Sequence, residues 1–181
     1  MLFNESRHTS INEIERFIPI SKNTDFKTIS PHIEHAEQIY LIPVIGKAMY
    51  DELDEFYADV DIDSPDLTEI QQTTLALLKT CQDAVIHLAF YLGFDMLNTY
   101  ISDSGFRRTE SETVKPLFKY QETNLRNSLR TTGFNQIDAA LLFLDENIDS
   151  FGEFKSAKNY AEIKQLIIPN TNTFNKIVFI S

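Results

Sequence analysis

From Leu67 to Met96 an apolar or small residue recurs every three or four positions: Leu67, Ile70, Thr74, Leu77, Cys81, Val85, Leu88, Leu92 and Met96. That is the period of one face of an α-helix. Between Val85 and Tyr100 the other faces are apolar as well, through Ile86, Ala89, Phe90, Tyr91, Phe94 and Leu97. A helix that is apolar nearly all round is buried. The spacing therefore predicts one long central helix, broken or kinked near Gly93, with the rest of the chain packed around it. With 181 residues there is room for one domain with a proper core, or for one domain and a short arm. Five Gly and six Pro argue against a turn-rich all-β fold. The expected class is mainly α: a multi-helix bundle with a long central helix and short extended segments at both ends.

The remaining punctuation divides the chain. Residues 1–28 read as an N-terminal arm in which Arg16–Ser21 is a short extended piece, because Pro19 holds its predecessor in β-like angles. The bundle domain is expected over 29–168. Its first helix starts at Ser30-Pro31, a favoured N-cap followed by a favoured first helical residue; Ile33, Ala36 and Tyr40 keep helical spacing, and Pro43 ends it. A second helix runs from near Gly46 to about Tyr57, with Ile45, Met49, Leu53 and Phe56 on one stripe. Ser64-Pro65 repeats the Ser-Pro start before the central helix. Ser102–Pro116 is a polar loop with room for a short extended piece. Pro116 opens a helix that turns Leu117, Tyr120, Leu125 and Leu129 inward and stops at Gly133, where a C′ glycine belongs. Ile137, Leu141, Leu144 and Ile148 mark the next helix, closed by Phe151-Gly152. Ser156 caps a last one carrying Tyr160, Ile163 and Ile167, which ends at Pro169. Residues 169–181 form a C-terminal arm that reads equally as an extended segment or a short helix.

Charge narrows the partners. The net charge is -11 and the pI about 4.7, and no Lys/Arg cluster exceeds Arg107-Arg108. A free-standing nucleic-acid binder needs a basic face, and an anionic membrane repels an acidic one. The single cysteine, Cys81, excludes an internal disulfide and fits a reducing compartment. The opening MLFNESRHTS has no apolar stretch of signal-peptide length, and no run approaches the ~18 apolar residues of a membrane span.

No reactive constellation emerges from the residue pattern. His32 and His35 share a helix face, but zinc wants a third ligand and the spacing is not HExxH. The aspartates at 59, 61, 63 and 66 fail the EF-hand loop, whose sixth and twelfth positions would be Ser64 and Ile70 in place of Gly and Glu. Asp51, Glu52, Asp54 and Glu55 lie on the polar side of an amphipathic helix and read as a solvated face. Cys81 lies on the apolar stripe, and His87 is nearly opposite to it on the helix. No phosphate-binding glycine loop or nucleophile elbow occurs. The expectation is therefore no enzyme, no cofactor and no metal, with the work done by surfaces.

One stretch points further. In HIEHAEQIYLIPVIGKAMYDEL, residues Ile33, Ala36, Tyr40, Pro43, Ile45, Gly46, Met49, Tyr50 and Leu53 match a helical elbow in which proline stops one helix, glycine turns the chain, and the two tyrosines pack across the bend. The pattern resembles small head–tail connector (adaptor) proteins of phages and prophages of gut Bacteroidetes, and SAKNYAEIKQLIIPNTNTFNKIVFIS is similar to the downstream part of that group. The resemblance implies a viral structural protein of the virion: a subunit of an oligomeric ring, commonly of twelve copies, beneath the portal. Such a ring gives DNA a channel, touches it transiently and non-specifically, and docks tail components. It implies the portal and tail or connector proteins as partners, no membrane, and residence in the bacterial host cytoplasm during virion assembly. Phe174, Ile177, Val178 and Phe179 of the C-terminal arm, with Arg107 and Arg108, are the expected partner-binding residues. The alternative reading is a helical protein-binding or regulatory module without ring symmetry.

Overall fold

A computed structural model describes residues 1–3, 13–20, 25–97, 99–102, 105–108 and 118–156. The protein is mainly helical, a bundle built on one long central helix. In chain order its elements are α1 (Phe26–Ala36), a π-helical turn (Glu37–Leu41), α2 (Ile42–Ile45), α3 (Lys47–Asp59), α4 (Glu69–Leu92), α5 (Phe94–Leu97), β1 (Thr99–Ser102), β2 (Gly105–Arg108), α6 (Lys119–Glu146) and α7 (Gly152–Ser156).

The central helix is α4, and Leu77, Cys81, Val85 and Leu88 of the predicted stripe are fully buried in it. The two ends of that stripe differ: Ile70 is 71% exposed and Met96 52%, although Phe94 just beyond Gly93 is buried. Antiparallel α6 covers one flank of α4 and α1 another. The break near Gly93 is present: its N–H caps α4 by donating to the carbonyl of Ala89 at 2.8 Å, and α5 follows. α4 is long and apolar enough to cross a membrane by length and composition, but here most of its apolar side chains lie in the core of the bundle.

Several helix boundaries fall elsewhere than the punctuation predicts. α1 begins at Phe26, where the Asp25 carboxylate accepts from the Lys27 N–H at 3.0 Å; Ser30-Pro31 lies inside the helix. α4 is capped not at Ser64 but at Thr68, which forms a reciprocal capping box with Gln71. Pro43 does not end a helix. Its ring would crowd the carbonyl four residues back and it has no N–H to donate, and the wider π-turn just upstream accommodates both, so helical structure continues to Ile45. The chain turns at Gly46, whose φ of 86° and ψ of 150° belong to a region essentially reserved for glycine.

Gly133 is not a helix end either. α6 runs through it to Glu146, and a Cβ at this position would lie 2.5 Å from Cγ of Leu88. The glycine is there so that α6 can approach α4. Of the residues expected to face inward at the start of α6, Leu129 is buried, whereas Tyr120 and Leu125 are 64% and 44% exposed. With Gly133 against Leu88, the antiparallel α6 overshoots the end of α4 by roughly 15 Å at 1.5 Å per residue, so its first turns reach past α4. Ser156, expected to cap a last helix, is instead the final residue of α7; the rest of that expected helix to Pro169 lies outside the described residues, as do Pro116, Leu117 and the C-terminal arm.

Nor do the described parts of residues 1–28 behave as an arm. Leu2, Phe3 and Ile14 are fully buried, residues 13–18 form a helical turn rather than an extended piece, and the ring of Phe17 meets Phe3 edge-on at 6.4 Å. β1 and β2 form an antiparallel hairpin, with Thr99 opposite Arg108 and Ser102 opposite Gly105; it supplies the short extended piece anticipated in the polar loop.

Candidate functional site

The residues that converge in three dimensions are buried polar ones around the elbow. The Glu37 carboxylate, 3% exposed, accepts from the Leu2 N–H at 2.7 Å through Oε1 and from the Tyr50 hydroxyl at 2.9 Å through Oε2. Gln82 of α4 donates through Nε2 to the Leu2 carbonyl at 2.7 Å and to Oε1 of Glu13 at 2.8 Å. Oε2 of Glu13 accepts from the Tyr57 hydroxyl at 2.7 Å. The network thus ties the start of the chain, the elbow, α3 and α4 together. Burial drives the Glu37 carboxyl above the usual carboxylate range, against the opposing pull of its Leu2 and Tyr50 hydrogen bonds and the nearby ammonium group of Met1. Burial and the adjoining Glu37 likewise push the Tyr50 phenol upward. Groups so held rigidify a core when every member is satisfied.

Each tyrosine of the elbow has its own partner. Tyr50 bonds Glu37, while the ring of Tyr40 stands edge-on to Phe134 of α6 at 5.4 Å. The bend is thus fixed to α6 as well as to the network. The tyrosine-on-tyrosine packing that the motif predicts is replaced by these two separate anchors.

The acidic cluster of α3 opens on solvent. Asp51, Glu52 and Glu55 line a shallow cleft with Glu153 of α7. Partial burial, then Glu153 and Glu55, raise the pKa of Glu52. Asp51 pairs with Lys47, and Asp54 with the Met1 ammonium at 2.9 Å. The side chain of His32 lies against Gly93, and burial together with His35 lowers its pKa. Among the described residues no three His, Cys, Asp or Glu side chains converge to hold a metal ion. Cys81 is fully buried, and burial pushes its thiol up to about 12, which leaves it an inert apolar group.

Of the residues expected to bind partners, Arg107 and Arg108 occupy the last two positions of β2, opposite Tyr100 and Thr99. Phe174, Ile177, Val178 and Phe179 lie outside the described residues. The sequence pattern did not mark out the exposed start of α6, where Phe118 and Tyr120 stack at 6.0 Å and are 69% and 64% exposed. The clue would have been apolar spacing that runs through Tyr120 and Leu125 to the very start of a long helix.

Fold and site together define a helical bundle whose polar interior is built for rigidity. The chain belongs to the DUF6712 family, a family of unknown function, whose profile matches residues 41–164. No curated protein and no solved structure matches it.

Proposed function

We propose that the protein is a structural head-to-tail connector subunit: a non-enzymatic component of a phage virion that assembles, in the host cytoplasm, into a ring beneath the portal. The observation that carries this reading is the elbow. Its motif resembles that of the connector group, and its geometry is over-determined by Gly46, by the Glu37–Tyr50 hydrogen bond and by Tyr40 against Phe134. A ring subunit needs a fixed angle between its helices so that identical neighbours repeat without strain. The net charge of -11 suits a channel through which DNA slides without sticking. The portal and the tail proteins are the proposed partners, and DNA is a transient, non-specific one.

The test is electron microscopy of the purified protein mixed with a portal protein encoded beside it. Closed rings stacked on the portal are expected, commonly of twelve copies. Particles that stay monomeric with and without portal would overturn the connector reading. They would favour a helical module that binds another protein without ring symmetry, for which the exposed Phe118–Tyr120 pair offers a contact surface.

A further inference from the structure

Leu2 and Phe3 have no exposed surface, yet they belong to no helix or strand. The backbone of Leu2 is held on both sides by buried side chains: its N–H by Glu37 and its carbonyl by Gln82, each at 2.7 Å. Those two groups are themselves positioned from behind, Glu37 by the Tyr50 hydroxyl and Gln82 by Glu13, which Tyr57 holds in turn. Glu37 and Gln82 are 3% and 1% exposed. A buried acceptor and a buried donor thus grip the backbone of one residue while flanking apolar space takes two side chains. Proteins hold peptide ligands in this way, with main-chain hydrogen bonds giving affinity and pockets giving specificity.

We propose that the cleft between the π-turn, α3 and α4 is a peptide-binding socket for a Leu-Phe pair, filled by the chain's own Met1–Phe3 and able to receive the same segment from a second copy. A second copy is the fitting occupant because it brings the identical residues, and exchange of an identical element between protomers preserves every contact. The segment belongs to the same chain as its socket, so exchange is confined to copies held side by side. The inference stands whether or not the protein forms a connector ring, and it is read out without the portal.

The experiment uses the full chain carrying Leu2→Asp and Phe3→Asp, whose own segment can no longer occupy the cleft. A peptide of the first ten residues, MLFNESRHTS, labelled at its C-terminus, is titrated against this variant and against the wild type by fluorescence anisotropy. Saturable binding at least tenfold tighter to the variant is expected, lost when the peptide carries the same two aspartates. A variant that keeps its helical circular dichroism but binds no peptide overturns the proposal, as does equal binding by both chains. A variant that is unfolded and stays unfolded at saturating peptide overturns it too, since Leu2 and Phe3 would then be ordinary core. Hydrogen exchange on the wild type gives a check free of mutations. The Leu2 and Phe3 amides should be at least tenfold less protected than those of Leu78 and Val85 in α4, and equal protection would refute a detachable segment.

Discussion

At Gly133 there is no room for a methyl group. A Cβ would sit 2.5 and 2.9 Å from two carbons of Leu88 and 3.3 Å from the carbonyl of Ala84. Alanine would gain about 1 kcal/mol of helix propensity, but overpacking of a well-filled interface costs about 1–3 kcal/mol. Gly133→Ala is therefore expected to lower unfolding stability in urea by roughly 1 kcal/mol; a gain would mean that Leu88 yields freely. His87 gives a pH signature. Burial opposes its charge, but Nδ1 lies 2.8 Å from the Asp83 carboxylate and 2.9 Å from the Asp83 carbonyl, and these contacts raise its pKa above the usual histidine value. A raised value in the fold means that the stabilisation is fully present below the unfolded pKa of about 6.5. It is lost as pH rises through the folded value. Melting temperatures from pH 5.5 to 8.5 should show the wild type losing its advantage over His87→Gln across that rise, and a constant difference would contradict the pairing. The Asp83–His87 pair is legible as an i,i+4 spacing on a predicted helix, whereas the contact at Gly133 is not. A glycine following a run of helix formers looks like a stop signal, and only the neighbouring helix reveals it as a contact.

Among the elements, the elbow and the start of α4 carry separable costs. Gly46 occupies a backbone region essentially closed to other residues, so Gly46→Ala should cost about 1–3 kcal/mol and, if the chain relaxes, change the angle between α2 and α3. Denaturant unfolding measures the first effect and a solved variant structure the second. The Thr68–Gln71 capping box predicts a loss of about 1 kcal/mol for Thr68→Ala and almost none for Ser64→Ala, the residue that sequence punctuation favours as the cap. The existence of α1, α3, α4 and the second half of α6 is written in their apolar periodicity, because burial of one face is what sets it. Their starts are less legible: Asp25 and Thr68 compete with Ser30 and Ser64 within a few residues, and tertiary packing decides between them. The polar network is illegible in the sequence for a different reason. Its partners lie 13 to 80 residues apart, and a buried Glu or Gln looks in one dimension like any surface residue.

On the scale of the whole molecule, one apolar cluster includes residues from Leu2 to Phe154, and α4 is the element shared by α1, α3 and α6. Loss of any one contact face exposes α4, so thermal unfolding should be a single transition, with helical circular dichroism and tyrosine fluorescence coinciding. Separated midpoints would show that the N-terminal residues and elbow melt independently of the α4–α6 pair. The π-turn at Glu37–Leu41 has a consequence for how this chain tolerates length changes. Such a turn spends one more residue on its rise than an α-turn does, and each residue advances a helix by about 100°. The buried face of α1, with Ile29 and Ile33, is therefore out of phase with the elbow by one residue, and the π-turn absorbs the offset. Deleting a single residue there would make the hydrogen-bond ladder more regular while swinging Ile29 and Ile33 off the core, so an edit that tidies the helix locally would unseat it globally.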